Sequence, residues 1–250
     1  MSLAVEISGL KKHYKGAWSP ALDGLDLSIR QHGIYGLLGP NGAGKTTTIN
    51  ILCGLVDADA GKATVLGKDC RRQKMSIRKC TGIVPQQIAL FANLTAWENY
   101  RYIGRLYNLS EFQIKKRASA LLQRLGLYAH ADKRIASYSG GMKRRANIIA
   151  SLLHEPELLI LDEPTAGVDV QSRAMILDFL LEYKQQGKTI IYTSHLLEEA
   201  EQICDDIAII DEGRLIVTGA PKTLVQNTPE CRRLEDVFLH YTGFKLRDKE

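Results

Sequence analysis

The chain has 250 residues, of which 45% are apolar and 24% are charged, and its formal net charge is +5. This length predicts one large α/β core and excludes two full-sized catalytic domains, and the evenly mixed charges argue against intrinsic disorder. The five scattered cysteines, and the lack of a signal peptide or a long apolar segment, predict a reduced, cytosolic chain.

The first third of the chain predicts strands with one helix among them. Polar and apolar residues alternate over 4–10 and again over 25–29, which predicts two strands of an antiparallel layer. Residues 33–39 form an apolar run that ends in glycine, as expected of a strand buried on both faces, and a helix is expected over 45–55. Short strands are expected over 63–66 and 81–84.

The pattern then becomes helical from Leu94 to Gly126, with Ser110 as the expected N-cap of a helix over 111–125. A further helix is expected over 142–154. Three apolar runs follow, separated by predicted helices over 171–185 and 196–203; the runs are 158–161, 189–192 and 207–210. Strands that alternate with helices predict a mainly parallel sheet covered on both sides, with a helical insertion over about 87–157.

A phosphate-loop pattern lies between the predicted buried strand and its helix. Glycines let backbone N–H groups turn towards a ligand, and the helix N-terminus adds partial positive charge, so the loop suits anionic phosphates. Lys45 would reach the β- and γ-phosphates, and the Thr46 hydroxyl would bind Mg²⁺. The alternative is a chance glycine-rich turn. The candidate residues are Gly39, Pro40, Asn41, Gly42, Ala43, Gly44, Lys45, Thr46 and Thr47.

Two adjacent acids follow the apolar run 158–161. Ligands of parallel sheets bind beyond the carboxyl ends of the strands, and successive strand residues point in opposite directions. Asp162 therefore suits the Mg²⁺ shell, and Glu163 suits the orientation or deprotonation of an attacking water. The alternative is an ordinary solvated acid pair.

Two more polar residues follow predicted strands. His195 could hydrogen-bond a γ-phosphate oxygen, although an isolated histidine is more often structural. The amide oxygen of Gln86 could ligate Mg²⁺ or hold the water. Gln87 is a competing candidate, and a solvated glutamine is the alternative to both.

Between Gln86 and Asp162 lies the pentapeptide Tyr138-Ser-Gly-Gly-Met142, which opens a predicted helix. Together with the phosphate loop it resembles the ABC-type ATPase family, whose signature is usually Leu-Ser-Gly-Gly-Gln. The departures at Tyr138 and Met142 look like the variant common in ABC-2-type exporters. The resemblance implies a P-loop NTPase fold with a mainly parallel RecA-like core sheet, an antiparallel β subdomain and an inserted α-helical subdomain.

The resemblance also implies roles for individual residues. In the family, the signature caps the γ-phosphate bound to the other subunit, so two domains pair head to tail around two ATP molecules. This carries over to Ser139, Gly140 and Gly141. His195 matches the switch histidine, Gln86 the Q-loop, and residues 166–169, with Asp169, the D-loop. Tyr14 matches the aromatic residue that stacks on adenine. The alternative interpretation is that Tyr14 is a surface residue that supports the first sheet.

The family resemblance divides the chain into an ATPase domain over 1–228 and a C-terminal helical tail over 229–250. The core and β subdomain would comprise 1–86 and 158–228, and the helical subdomain about 87–157. In the family, a groove in the helical subdomain receives a short helix from the membrane subunit. Phe91, Leu94 and Trp97 are candidates to line this groove. Residues 234–243 resemble the closing helix of ABC-2 drug and antibiotic exporter ATPases, which favours export.

The implied partners are a membrane-spanning permease and a second ATPase subunit, either another copy or a homologue. The chain would then be peripheral on the cytoplasmic face of the membrane. The rivals are a soluble ABC ATPase of translation or DNA repair and a P-loop small-molecule kinase. Nucleic acid binding is not expected. Short basic clusters are interpreted as solvated faces, with lipid headgroups or nucleic acid as the alternative; they are Arg71-Arg72, Lys115–Arg117, Lys143–Arg145 and Arg232-Arg233.

Overall fold

The computed structural model describes residues 2–243. Nearly every predicted element is present, with its ends displaced by a few residues. In chain order the elements are β1 (Leu3–Lys12), β2 (Leu22–Arg30), β3 (Ile34–Leu38), α1 (Lys45–Leu52), β4 (Ala60–Val65), β5 (Lys68–Asp69), α2 (Lys74–Cys80), β6 (Thr81–Val84), α3 (Ala96–Leu106), α4 (Glu111–Arg124), α5 (Gly140–Leu152), β7 (Leu158–Asp162), α6 (Val170–Gln185), β8 (Thr189–Thr193), α7 (Leu197–Ile203), β9 (Asp206–Asp211), β10 (Arg214–Gly219), α8 (Pro221–Asn227) and α9 (Leu234–Thr242).

The described chain forms two compact units. The first combines residues up to Arg78 with those from Thr189 onwards. Its β1 pairs antiparallel with β2 and with β4, which confirms the predicted antiparallel layer. Its β3 lies between β8 and β9 and runs parallel to both, and β10 pairs antiparallel with β9. Every residue of β3 and β8 is buried, as expected for apolar strands covered on both faces.

The second unit spans Lys79–Lys188. It contains the parallel pair β6 and β7 and the helices α3 to α6. Ser110 is the N-cap of α4 as predicted, because its hydroxyl accepts from Gln113 N and the Gln113 side chain accepts from Ser110 N. Thr95 and Glu98 form the same capping box at the start of α3. Gln86 follows the carboxyl end of β6 after Pro85, and Glu163 directly follows that of β7.

Several elements were not predicted from the sequence. In α2 only Ile77 is buried, so that short helix carries no apolar repeat. Strand β10 has only exposed and half-buried residues, and its place in the sheet follows from pairing with β9. The two-residue β5 and the short α8 also carry too little pattern to predict.

The helical tail is described only in part. Helix α9 covers Leu234–Thr242 of the predicted tail, and residues 244–250, like residue 1 of the predicted ATPase domain, lie outside the described residues. The predicted division into core, helical subdomain and tail stays a prediction. None of the helices within residues 2–243 combines the length and the apolar composition that a bilayer crossing requires.

Candidate functional site

The phosphate loop lies between β3 and α1 in the first unit, and two of its glycines are sterically required. A Cβ atom on Gly39 would stand 2.2 Å from the carbonyl oxygen of Ile210, and one on Gly44 would stand 2.5 Å from that of Ala21. Both contacts are with backbone, which cannot move aside. The close packing therefore explains why this loop needs glycine at both positions.

Lys45, the first residue of α1, is buried over the loop. Its ammonium group donates to the carbonyl oxygens of Gly39, at 2.6 Å, and Pro40, at 2.9 Å. Thr46 follows as an exposed residue of the first helical turn, with Thr47 half-buried beside it. That turn contains no acidic residue, so its N–H groups and the lysine favour an anion.

A turn between β9 and β10 supports the loop from one side. Gly213 N donates to the carbonyl of Ala43 at 3.0 Å, and Asp23 N donates to the carbonyl of Gly213 at 3.0 Å. Arg214 forms an ion pair with Asp23, and its hydrogen bond is the main reason why the pKa of that carboxyl is lowered. A cavity of about 830 Å³ borders Asn41 and Gly42 here.

Tyr14 and His195 also belong to the first unit. Tyr14 follows β1 with its ring partly exposed, and the ammonium of Lys12 lies 5.6 Å from the ring centroid. His195 is exposed and follows β8 after Ser194. Because β8 runs parallel to β3, His195 and the phosphate loop follow the same ends of neighbouring strands, as the sequence analysis expects.

The structure brings two candidate residues of the second unit into contact. Asp162 is the buried last residue of β7, and Glu163 follows with a left-handed φ of +48°. The amide nitrogen of Gln86 donates to the Glu163 carboxylate at 3.1 Å. Gln86, and not its neighbour Gln87, therefore makes the contact with the acid pair.

The signature residues lie at the N-terminus of α5. Ser139 is the N-cap and accepts from Met142 N at 3.2 Å, and Ser139 and Gly140 are exposed. Asp169 is the N-cap of α6, and its carboxylate accepts from Ser172 N at 2.9 Å. This bond and the hydrogen bond with the Ser172 hydroxyl lower the pKa of Asp169. Both helices thus present capped N-termini in the second unit.

Arg144 is a functional candidate that the sequence analysis missed. Its interpretation as part of a solvated basic cluster is wrong, because the side chain is only 6% exposed. Its guanidinium donates to the carbonyl oxygens of Pro85 and Gln86. Burial lowers its pKa, and the Asp162 and Glu163 carboxylates raise it. The only sequence signal was its place five residues after Ser139.

The donor chemistry of the candidate residues, taken unit by unit, suits Mg²⁺. Within residues 2–243 no group of three or more His, Cys, Asp and Glu side chains could hold a metal on its own. A Mg²⁺ ion that takes one carboxylate, one hydroxyl and substrate oxygens needs no such group. The Asp162 carboxylate at the end of β7 and the exposed Thr46 hydroxyl supply oxygen donors of the required type.

Comparisons with known proteins agree with this chemistry. The ABC transporter family model matches residues 22–166. A solved ATP binding subunit of an ABC transporter superposes with a TM-score of 0.87 at 28% identity, covering 96% of this chain and 100% of that one. CbiO1 from Clostridium perfringens, part of the ABC transporter complex cbiONQ, gives 0.81 at 30% identity, covering 91% and 92%.

Curated relatives are ATP-binding proteins of the same kind. The linearmycin resistance ATP-binding protein LnrL of Bacillus subtilis (strain 168) is 45% identical over 92% of this chain and 71% of its own length. The daunorubicin resistance ATP-binding protein DrrA3 of Streptomyces coeruleorubidus is 40% identical over 96% and 75%. A Nod factor export ATP-binding protein I of Rhizobium sp. (strain N33) is 38% identical over 93% and 76%.

These matches confirm the predicted P-loop NTPase fold and ATPase activity, and they do not support the small-molecule kinase. Subunits of this kind bind ATP and work with membrane-spanning subunits. The chain belongs to the ABC transporter ATP-binding family and is an ATPase coupled to transport.

Proposed function

We propose that this chain hydrolyses Mg-ATP to power export through a separate membrane-spanning subunit. The observation that carries the hydrolytic part is the hydrogen bond of 3.1 Å between Gln86 and Glu163. It joins an orienting amide to a carboxylate that follows a buried strand, and a carboxylate held in place in this way suits a general base for water. A kinase, by contrast, must keep water away from the transferred phosphate.

Binding of the triphosphate falls to the phosphate loop. The backbone N–H groups of Gly42, Ala43 and Gly44 would cradle the phosphates, and Lys45 would exchange its two carbonyl partners for β- and γ-phosphate oxygens. The positively charged ammonium is attracted more strongly to an anionic phosphate oxygen than to a neutral carbonyl oxygen, so this exchange favours the nucleotide. Tyr14 would stack on adenine, an interaction that distinguishes poorly among purines.

Three residues would hold Mg²⁺, namely Thr46 and Asp162 directly and Gln86 through its amide oxygen. When bound, the ion neutralises charge on the β- and γ-phosphates. The Gln86 oxygen can serve this purpose while its nitrogen donates to Glu163, because an amide carries both an acceptor and donors.

The reaction is transfer of the γ-phosphoryl group to water. The water oxygen attacks phosphorus, the bond to ADP breaks, and Glu163 accepts the proton that the water loses. Gln86 holds the carboxylate in place, and His195 would donate to a γ-phosphate oxygen. Catalysis is therefore positioning and electrostatic stabilisation, without a covalent intermediate.

A second ATPase subunit completes the site in this proposal. The exposed Ser139 and Gly140, followed by the buried Gly141, form a helix N-terminus that suits the γ-phosphate bound to a partner. Asp169 begins the next helix beside it and would contact the partner's site. A second copy or a homologue would therefore pair head to tail with this chain and separate after hydrolysis.

Export is supported by what the relatives are called. Three relatives are named for resistance to linearmycin, for resistance to daunorubicin and for Nod factor export. Their similarity to this chain extends over 92%, 96% and 93% of its length. The chain would act on the cytoplasmic face of the cell membrane, where ATP is available. The cargo would be selected by the membrane-spanning subunit.

Affinity purification of the chain from detergent-solubilised membranes tests the proposal. We expect a multispanning membrane protein in paired stoichiometry, and ATP hydrolysis that is inhibited by chelation of Mg²⁺. Recovery from the soluble fraction alone, with ribosomes or nucleic acid, would overturn the transport role and favour the soluble ABC ATPase. A purified complex that binds ATP but releases no phosphate would overturn the hydrolytic role.

A further inference from the structure

The segment that carries Gln86 is bound to α5 by two side chains of that helix. The Arg144 guanidinium donates to the carbonyl oxygens of Pro85, at 2.8 Å, and Gln86, at 2.6 Å. One turn further along α5, the Asn147 side-chain oxygen accepts from Ala89 N at 3.2 Å. The backbone between β6 and α3 is therefore held by the helix that starts at the signature.

Both side chains are deeply buried, with Arg144 6% and Asn147 3% exposed. A buried guanidinium is costly unless its donors are paired and its charge is compensated. Two different nitrogens of Arg144 bond two successive carbonyls, which fixes the plane of the group as a single ammonium could not. The nearby Asp162 and Glu163 carboxylates compensate its charge.

A short connection therefore leads from the signature to the acid pair. Ser139 is the N-cap of the helix that carries Arg144. The Tyr100 hydroxyl adds a bond of 3.3 Å to the carbonyl of Ala146 and ties α3 to the same helix. From Arg144 the connection passes through the Gln86 backbone to the Gln86 amide, and from there to Glu163.

We propose that Arg144 is a positioning residue for ATP hydrolysis, which fixes the backbone of Gln86 to the signature helix and so holds the Gln86 amide against Glu163. The proposal rests on the proposed function, because it assigns Arg144 to the same hydrolytic site. Arg144 acts only through Gln86. Its loss should therefore lower the rate of hydrolysis far more than it weakens ATP binding, which rests mainly on the phosphate loop.

The test compares steady-state hydrolysis by the wild-type transporter with that of Arg144→Gln and Arg144→Lys. Misplacement of a reacting group by about 1 Å can reduce the rate roughly 100-fold, so kcat should fall about 10- to 100-fold in Arg144→Gln while KM for ATP changes much less. Arg144→Lys keeps the charge but has a single donor nitrogen, and we expect a smaller loss. If Arg144→Gln does not fold, the lysine variant still gives the comparison, because a kcat equal to that of wild type would overturn the proposal.

Arg117→Gln is the matched control. Arg117 also donates to a backbone carbonyl, that of Leu153 at 2.9 Å, and pairs with Glu155, but it lies on α4 and does not touch the Gln86 segment. Its replacement should lower the melting temperature and leave kcat unchanged. An equal fall of kcat in both variants would mean that Arg144 has only a structural role.

A double-mutant cycle tests whether the effect of Arg144 on hydrolysis passes through Gln86. If Arg144 acts through Gln86, then Arg144→Gln should cause no further loss of kcat in a Gln86→Ala background. Fully additive losses would overturn the proposal. Loss of the ATP-held dimer when Arg144→Gln is combined with Glu163→Gln would overturn it as well, because the effect would then lie at the signature. Failure of the proposed function looks different, since Glu163→Gln alone would then hydrolyse ATP at the wild-type rate.

Discussion

Gly141 lies directly against Ser172, so that a Cβ atom at position 141 would stand 2.3 Å from the Ser172 hydroxyl oxygen. The same atom would stand 2.6 Å from a carboxylate oxygen of Asp169. The N-termini of α5 and α6 therefore approach each other closely, with no room for a side chain between them. The preceding Gly140 is different, because the one contact found for a Cβ there within 4 Å, among residues 2–243, is the carbonyl of Gly167 at 3.9 Å.

Gly141→Ala should destabilise the protein and Gly140→Ala should not. Forcing a methyl group into a packed contact costs about 1–3 kcal/mol, so thermal or urea unfolding should report a loss of that size for Gly141→Ala. Gly140→Ala meets open space and should unfold like the wild type. Equal stability of the two variants would contradict the close approach of the two helices.

Glu163→Gln should bind ATP and hydrolyse it at least about 100-fold more slowly, because the amide cannot accept the proton of the attacking water. Phosphate release and nucleotide binding measure the two effects separately, and size-exclusion chromatography with ATP should detect a stable dimer. Glu182→Gln is the control, since Glu182 pairs with Arg124 on the exposed faces of α4 and α6. Near-normal turnover by Glu163→Gln would remove Glu163 as the base.

Lys45→Ala should raise the Kd for ATP at least about tenfold, because a charge-assisted contact to the phosphates contributes about 1.5–3 kcal/mol. Equilibrium binding of a fluorescent ATP analogue measures this loss. Lys74→Ala removes an equally charged residue of the same unit, which pairs with Asp57 at 2.7 Å, and should bind ATP normally. Unchanged affinity in Lys45→Ala would contradict the interpretation of the phosphate loop.

The sequence predicts features whose cause is local. The phosphate loop follows from the order of strand, glycine-rich turn and helix, and the N-cap at Ser110 follows from its own neighbours. Arg144 could not be recognised in this way, because the carbonyls that it binds, those of Pro85 and Gln86, lie almost sixty residues earlier in the chain. A basic triplet on a helix does not reveal which of its members points inwards.

His154 makes the stability of the protein depend on pH. Its ring stacks on Tyr107 with centroids 3.8 Å apart, and burial lowers its pKa below the usual 6.5, although a bond to the Thr81 carbonyl opposes the shift. Well above pH 6.5 the ring is neutral in the folded and unfolded states. Below it, the unfolded chain takes up a proton that the folded chain resists, so stability should fall as the solution is acidified.

Replacement of His154 separates this effect from other titrations. His154→Phe keeps an aromatic ring against Tyr107 but cannot be protonated, so its free energy of unfolding should decline less between pH 7.5 and pH 5.5 than that of the wild type. Urea unfolding at a series of pH values gives the comparison. Parallel pH profiles for the two proteins would mean that the folded His154 takes up its proton as readily as the unfolded one.

Among the three candidates for contact with the membrane-spanning subunit, Phe91 has the most exposed side chain. It is 52% exposed and packs edge-on against the exposed Tyr102 with ring centroids 5.2 Å apart. Leu94 and Trp97 are half-buried nearby in sequence. An exposed aromatic pair next to apolar residues suits a partner helix, since aromatic side chains contribute strongly to binding.

Phe91→Glu should therefore abolish copurification with the membrane-spanning subunit, because a charge would have to be buried without a partner. The isolated chain should still bind ATP, because Phe91 lies outside the phosphate loop. Phe112→Glu is the matched control, since Phe112 is 76% exposed on α4 and has no predicted contact with a partner. Loss of copurification in both variants would indicate non-specific association through exposed aromatics. Retention in both would exclude Phe91 from the interface and require the docking surface to be sought elsewhere on the chain.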